Sequence, residues 1–442
     1  MDAVIPKPVN EALSLLYDKD FEGYVIGGTV RNLVMGEKPK TYDISTNATM
    51  SDIKRIYKNY RTYLTGENNK TLYIVNPKFP MKITQYRTKE NTLEADLATR
   101  DFTMNALALS DEDGLIDYST GLLDINNRII RLNGDDDTIF QDDPLKILRA
   151  IRLSAEYLMK IDKQTIEYMF EDKELLKDVA PERVRDEISK LLVTRRADFY
   201  IKKYFEIFLE VIPELALLEG FDQNDSHHIY DALEHTLVAM KNIDSTLELR
   251  LAILFHDISK PFTAVRKEDG TTEYKDHAKK SAEMAREILN RLRFSKKIIQ
   301  KTIKLIENHD YKFSDKDVKV KEFLNRFGTE DIEDLFKLKK ANFYAKNPAY
   351  ATDLINIDKD YERVMSLAKK SSFIKKNEMK LNGSDLVNMG LEQEEVGKVL
   401  NDLYSKVLNG DVKNNRDKLI SYVINNILPQ DDNTEIIFKK VA

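Results

Sequence analysis

The 442-residue chain contains no cysteine, which excludes a disulfide framework, a thiolate metal site and a cysteine nucleophile, and fits a reducing compartment. Any metal must then be held by histidines and carboxylates. No apolar run approaches the roughly 18 residues a membrane span needs, and the N-terminus lacks the basic, apolar and small-residue succession of a leader. The expectation is a soluble, cytoplasmic protein with no membrane partner. Positive charge is not in excess either. The formal net charge is −6, so a role on nucleic acid has to rest on a local patch. Candidate patches run over 286–304 and 337–346, the second with Phe343 and Tyr344 placed to stack on bases. In a chain that is 33% charged, solvated helix faces are the plainer reading of either. Short repeats and low-complexity tracts are missing, and the last dozen residues read as a loosely held tail.

What is present is enough chain for three or four units at roughly 100–200 residues each. Residues 1–155 alternate between patterns: helix over 9–17, strand over 24–26, helix over 29–35, strand over 42–45, helix over 51–57. Antiparallel strands follow over 68–75 and 81–86, parted by the turn residues 76–80. After Pro181 the apolar spacing is helical almost throughout. The stretch 24–46 organises the rest. A short β-rich run feeds Gly27-Gly28, a turn that can bring backbone N–H groups against a phosphate; a helix carrying Arg31 and a strand bearing Asp43 follow. That is the layout of a nucleotide-handling palm. In-line phosphoryl transfer can use two divalent cations, and carboxylates on alternate residues of one strand face the same side to hold them. Farther on, Pro144 opens a helix whose positive end Asp142 and Asp143 are expected to cap, with Arg149 and Arg152 on one face where they can grip a triphosphate. All six histidines fall between 227 and 309. Imidazoles and a carboxylate from separate helices can converge on a transition metal such as Ni2+, Mn2+ or cobalt, which activates water against a phosphate.

Read residue by residue, Gly27-Gly28-Thr29-Val30-Arg31-Asn32, Gly36 and Asp43 resemble the head of the class II tRNA nucleotidyltransferases (CCA-adding enzymes) and bacterial poly(A) polymerases, whose pattern runs G-G-x-V-R-D, G, D-x-D. The run 96–106 resembles the family's D-L-x-R-R-D-F-T-I-N-A, 114–124 its G-x-I-I-D-P-x-G-G-x-x-D loop, and Asp142 to Lys146 stand at its E-D-x-x-R. Residues 178–192 resemble its neck helix, with Val184, Ile188 and Leu191 as the buried stripe and Arg183, Arg185 and Glu187 off it. Stretches 379–391 and 409–419 resemble its body and tail. Between these, His228, His235, His256-Asp257, His277 and His309-Asp310 match the spacing of the HD phosphohydrolase superfamily. Lys260 stands at the lysine of H-D-x-G-K.

The resemblance implies an α+β protein: a small mixed α/β nucleotidyltransferase palm over 1–155, a helical neck over 156–220, an HD domain over 221–330 and a helical body and tail over 331–442. It implies action on tRNA 3′ ends with ATP or CTP. It places Gly27, Gly28, Arg31, Arg100, Asp143, Lys146, Arg149 and Arg152 on the nucleotide and Asp43 on catalytic Mg2+. It gives the HD centre a divalent transition metal such as Ni2+ or Mn2+, held by His235, His256 and Asp257, with His277, His309 and Asp310 completing a second site. His256 and Asp257 carry its chemistry. His227 and His228 are expected to cap or line the entrance.

The chain departs from the pattern at three functional positions. Thr41 replaces the first aspartate, Lys82 stands where a carboxylate is expected, and Lys146 replaces the base-reading arginine. Lys82 is expected to pair with Asp43 in place of metal charge, unless Asp96 or Glu67 compensates. The expectation is slow transfer. The alternative is a transferase-silent tRNA-binding protein whose only chemistry is HD-centre phosphoester hydrolysis.

Overall fold

The computed structural model describes residues 4–66, 70–134, 138–224, 226–350, 352–370 and 376–428; Glu67 and the C-terminal tail lie outside them. The chain divides into two compact units, Met1–Pro213 and Glu214–Ala442.

In the first unit, seven strands of the described residues form one mixed sheet: β1 (Tyr24–Ile26), β2 (Tyr42–Thr46), β3 (Thr62–Thr65), β4 (Thr71–Ile74), β5 (Met81–Gln85), β6 (Leu107–Ser110) and β7 (Gly114–Asp117), in the order β3-β4-β5-β2-β1-β6-β7. Only β2 and β5 run parallel, with Asp43 directly beside Lys82; the other neighbours are antiparallel. Period-two alternation makes the sheet two-faced. Tyr42, Ile44, Leu72, Ile74, Met81 and Ile83 are buried on one face, against which the helix Met50–Ile56 packs, its first turn capped by Thr49 accepting from the Asp52 N–H. Asp43, Lys82 and Tyr73 take the other face.

Two segments differ from their sequence reading. Strand β3 was not anticipated, because Thr62–Thr65 has no buried residue of its own to mark it. The stretch 114–124 is not a loop: it is β7 followed by the helix Gly121–Asn127. Glycine is required there, since a Cβ at Gly121 would stand 2.3 Å from the Thr103 carbonyl oxygen.

Beyond the sheet, helices Leu145–Tyr157 and Pro181–Leu192 pack on each other. The second carries the expected stripe Val184, Ile188 and Leu191. Glu187, placed off that stripe by spacing alone, is buried as well, because it meets Arg152 across the helix pair with Nε to Oε2 at 2.5 Å.

The second unit is almost wholly helical. Leu247–Phe255 is apolar nearly all round and therefore central; every residue from Leu249 to Phe255 is buried. Ala232–Lys241, Lys296–Asn308 and Ile332–Tyr344 surround it. Nearer the C-terminus, Leu381, Leu386, Leu403, Leu419 and Val423 form a separate core. There the helix Gly383–Asn388 begins in a capping box between Asn382 and Asp385. No helix among the described residues is long and apolar enough to cross a membrane.

Candidate nucleotide cleft and metal centre

β1 ends in Gly27, whose φ of 66° and ψ of −136° place it where side chains are not tolerated. The turn starts the helix Gly28–Val34 at the floor of a cleft of about 410 Å³. The cleft gathers Gly27, Gly28, Arg31, Arg100, Asp143, Lys146, Arg149 and Arg152, together with Asp43. Every residue assigned to a nucleotide from the sequence thus lines one cavity.

The guanidinium groups differ in how far the protein already holds them. Arg31 is 7% exposed; it donates to Asn105 and to the Tyr157 hydroxyl, each at 2.7 Å, and lies over the Tyr157 ring. Arg149 donates to Asp101 at 2.9 Å. Burial works against the charge of Asp101, but Arg149, Asn105 and the Phe102 N–H outweigh it and hold the carboxyl below its usual range. Arg100 bonds Asp96 at 2.6 Å. Arg152 is shared by Glu187 and Glu156.

The expected cap on the helix Leu145–Tyr157 is not made by a side chain. Asp142 ends a helix of its own, Ile139–Asp142, and Asp143 instead receives Nη2 of Arg183 on both oxygens, at 3.0 and 2.9 Å. Lys146 donates to the Ile139 carbonyl at 3.3 Å. Arg87, Asn105 and Lys190 also line the cleft and were not singled out from the sequence. Arg87 closes the segment read for its lysine, Asn105 is the asparagine of the 96–106 motif, and Lys190 lies in the neck helix.

Asp43 is half-buried, with an Oδ1 that has no hydrogen-bond partner. Burial raises its pKa, opposed by the charges of Lys82, Arg100 and Arg87. One orphaned carboxylate oxygen fits one cation. A two-cation clamp is not supported by these residues. Asp96, a candidate substitute, is fully buried and committed to Arg100, Ser45 and the Arg87 N–H.

The second unit holds a cluster of a different kind. His235 comes from Ala232–Lys241, His256 and Asp257 from the end of Leu247–Phe255, His277 from the start of His277–Arg291, and His309 and Asp310 from the end of Lys296–Asn308. Around Asp257, Oδ2 lies 3.1 Å from His256 Nε2 and 3.6 Å from His235 Nε2. Oδ1 lies 3.4 Å from His277 Nε2 and 3.7 Å from His309 Nε2. Asp310 reaches His277 at 3.1 Å. Two three-ligand groups, His235–His256–Asp257 and Asp257–His277–His309, therefore share the aspartate.

Nδ1 of His256, His277 and His309 faces a backbone carbonyl three residues earlier, at 2.7–2.8 Å. This fixes the tautomer that presents Nε2, as metal-binding histidines require. Burial keeps His235 neutral well below its usual pKa and takes His309 down to about 4. His256 Nε2 and both Asp257 oxygens are buried without a hydrogen-bond partner, which fits a cation they would hold. Lys260, also buried, sits 2.8 Å from Asp257 Oδ2 and 2.6 Å from the Gln223 amide oxygen. The His228 ring meets that of His235 edge-on, and His227 stacks on Tyr350.

The two basic stretches proposed for nucleic acid are partly compensated by carboxylates. Arg291 pairs with Glu214, Lys301 and Lys304 with Asp331, Lys337 with Asp244 and Glu333, and Lys340 with Asp358.

Three family models match: the poly A polymerase head domain over residues 23–131, the probable RNA and SrmB-binding site of polymerase A over 159–218, and the HD domain over 228–359. A CC-adding tRNA nucleotidyltransferase of Thermus thermophilus is 30% identical over 65% of this chain and 68% of its own length. A CCA-adding enzyme of Lactobacillus helveticus is 28% identical over 56% of this chain and 64% of its own. The chain spans 50–64% of the length of several curated relatives it matches. In fold it is similar to the Bacillus stearothermophilus CCA-adding enzyme in complex with CTP, with a TM-score of 0.65, 22% identity and coverage of 95% of this chain and 98% of that one. The Thermotoga maritima CCA-adding enzyme complexed with tRNA gives a TM-score of 0.58 at 20% identity, over 96% of each chain. With the glycine turn inside the matched head segment and the histidine cluster inside the matched HD segment, the chain belongs to the tRNA nucleotidyltransferase and poly(A) polymerase family and carries an HD domain.

Proposed function

We propose that the chain binds ATP or CTP in the head cleft, meets a tRNA 3′ end there, and transfers a nucleotidyl group slowly. The convergence of all eight assigned residues around Asp43 carries this reading. The relatives' names support it, as do solved neighbours described in complex with CTP, ATP and tRNA. In such a transfer the 3′-oxygen attacks the α-phosphate and pyrophosphate leaves. Gly28 offers its backbone N–H at the start of its helix, that of Gly27 being donated to the Leu107 carbonyl at 2.9 Å, and Arg149 and Arg152 offset the triphosphate charge. A cation at Asp43 would supply Lewis-acid polarisation of a phosphoryl oxygen. With Thr41 and Lys82 in place of carboxylates, transition-state stabilisation falls by several kcal/mol, roughly a thousandfold in rate. We assign 1–155 as head, 156–220 as neck, 221–330 as HD domain and 331–442 as body and tail.

A second activity, phosphoester hydrolysis at the HD centre, is favoured by the buried Asp257 carboxylate among four imidazoles. His235, His256, Asp257, His277 and His309 would hold the metal, Ni2+ or Mn2+ by donor type, which supplies an activated water. Lys260 is placed beside Asp257 to meet the phosphate charge.

The test is incubation with tRNA lacking its terminal residues, labelled ATP or CTP, and Mg2+. Slow incorporation is expected. Transfer as fast as that of a relative with both aspartates overturns the carboxylate argument, and its complete absence leaves hydrolysis as the chain's chemistry. Opening of a 2′,3′-cyclic end to its phosphomonoester, or phosphate release from a nucleotide, should depend on added metal and vanish in His256→Ala.

A further inference from the structure

The register of the sheet sets four side chains in one line on the face that carries Asp43. Tyr63 lies opposite Tyr73, Tyr73 opposite Lys82, and Lys82 opposite Asp43. Directly opposed residues point to the same side of a sheet. The line therefore leads outward from Asp43, at the cleft, across three strand spacings of roughly 4.8 Å each. The two tyrosine rings stack with centroids 4.8 Å apart and planes 26° apart. Tyr63 is 52% exposed although it sits in a strand. Alongside runs a second registered row containing Thr71 and Thr84. The opposite face of β2, β4 and β5 is apolar and buried, so this row of aromatics, hydroxyls and a cation is not needed for the core.

We propose that the outward face of β3-β4-β5-β2 is the docking strip for the single-stranded 3′ end of RNA. Its last bases stack on Tyr73 and Tyr63, Lys82 meets the intervening phosphate, and the terminal 3′-oxygen is delivered to Asp43. Aromatic faces accept any base, a single cation meets the backbone, and hydroxyls recognise the 2′-OH, which together select single-stranded RNA over a protein partner. The orphaned Oδ1 of Asp43 marks the inner end of the strip. Lys82 gains a role from this arrangement: its charge adds a phosphate contact, separate from the metal-dependent step at Asp43. The proposal rests on the reading of the head as a nucleotide cleft that meets an RNA 3′ end.

The full chain is photocrosslinked to an RNA hairpin with a single-stranded 3′ tail ending in 4-thiouridine, and the adduct is mapped by mass spectrometry. ATP binding is measured in parallel. The expected result is an adduct at Tyr63 or Tyr73, reduced about tenfold or more in Tyr63→Ala/Tyr73→Ala and retained in Tyr63→Phe/Tyr73→Phe, with ATP affinity unchanged in both. Lys82→Gln should lower the slope of log affinity against log salt by about one phosphate contact. Adducts elsewhere in the head, or equal yields from the alanine and wild-type proteins, overturn the strip while the nucleotide cleft stands. Loss of both ATP binding and every RNA adduct in the wild-type protein overturns the cleft reading as well.

Discussion

A carboxylate is useful to a phosphoryl-transfer site only if its charge is not already spent on the protein. Asp96 and Asp101 are both spent, on Arg100 and Arg149, whereas Asp43 keeps an oxygen without a partner. Restoring the lost acids should then matter more than altering the retained ones. Thr41→Asp combined with Lys82→Glu is expected to raise Mg2+-dependent nucleotide incorporation at least about tenfold, read as initial rate on tRNA lacking its terminal residues. Asp101 makes the opposite case. Its folded pKa is depressed by Arg149 despite burial, so the unfolded chain takes up a proton there before the folded one does as pH falls. Its contribution is complete above the ordinary aspartate range and is lost as pH drops through the folded value. Asp101→Asn should destabilise by about 1–3 kcal/mol near neutral pH and flatten the acid limb of the stability curve, measured by urea unfolding from pH 7 to pH 3. Arg183 bears on choice of base. Lys146 lacks the planar fork that reads a base edge, and Arg183 brings a guanidinium to Asp143 instead. Arg183→Ala should therefore change the ratio of ATP to CTP bound, by equilibrium dialysis, while Arg185→Ala should not.

At the scale of elements, two devices aim the site: the turn after β1 and the parallel pairing of β2 with β5. Gly27 sits in backbone space that an L side chain enters only at about 1–3 kcal/mol, although a Cβ there would meet nothing closer than 3.7 Å. Gly27→Ala should lower stability by that amount and weaken ATP binding, with the strain rather than a clash responsible. Much of this was legible in the sequence, because a glycine pair after a short β run and an aspartate in the next strand are local signals. Lys82 was expected to pair with Asp43; β2–β5 pairing sets the two side by side in a register no local pattern encodes, yet Oδ1 of Asp43 keeps no hydrogen-bond partner. Strand β3 escaped notice because its alternation is between half-buried and exposed residues, without the buried apolar positions that mark β4 and β5. Glu187 was misread for a related reason. Helical periodicity reports which face is apolar, but a buried carboxylate facing an arginine on another helix answers to its partner, Arg152.

Considered whole, the chain keeps its two candidate sites in separate compact units: the cleft is built entirely from Met1–Pro213 and the histidine cluster entirely from Glu214–Ala442. The histidine spacing announced the cluster, yet only the fold shows that one aspartate serves both three-ligand groups. A metal held there would tie together the four helices whose side chains converge on Asp257. Binding to the folded state stabilises by RT ln(1 + [L]/Kd), about 2.7 kcal/mol at a hundredfold excess over Kd. That stabilisation should be local to the unit that binds. Added Mn2+ is expected to slow amide hydrogen exchange in Ala232–Lys241, Leu247–Phe255, His277–Arg291 and Lys296–Asn308, and a chelator to reverse it, while β6 and β7 of the head sheet exchange at the same rate throughout. Asp257→Asn removes the shared ligand and should abolish the effect in all four helices together. Protection lost from only two of the four would mean that the two groups bind independently and that the shared aspartate does not couple them.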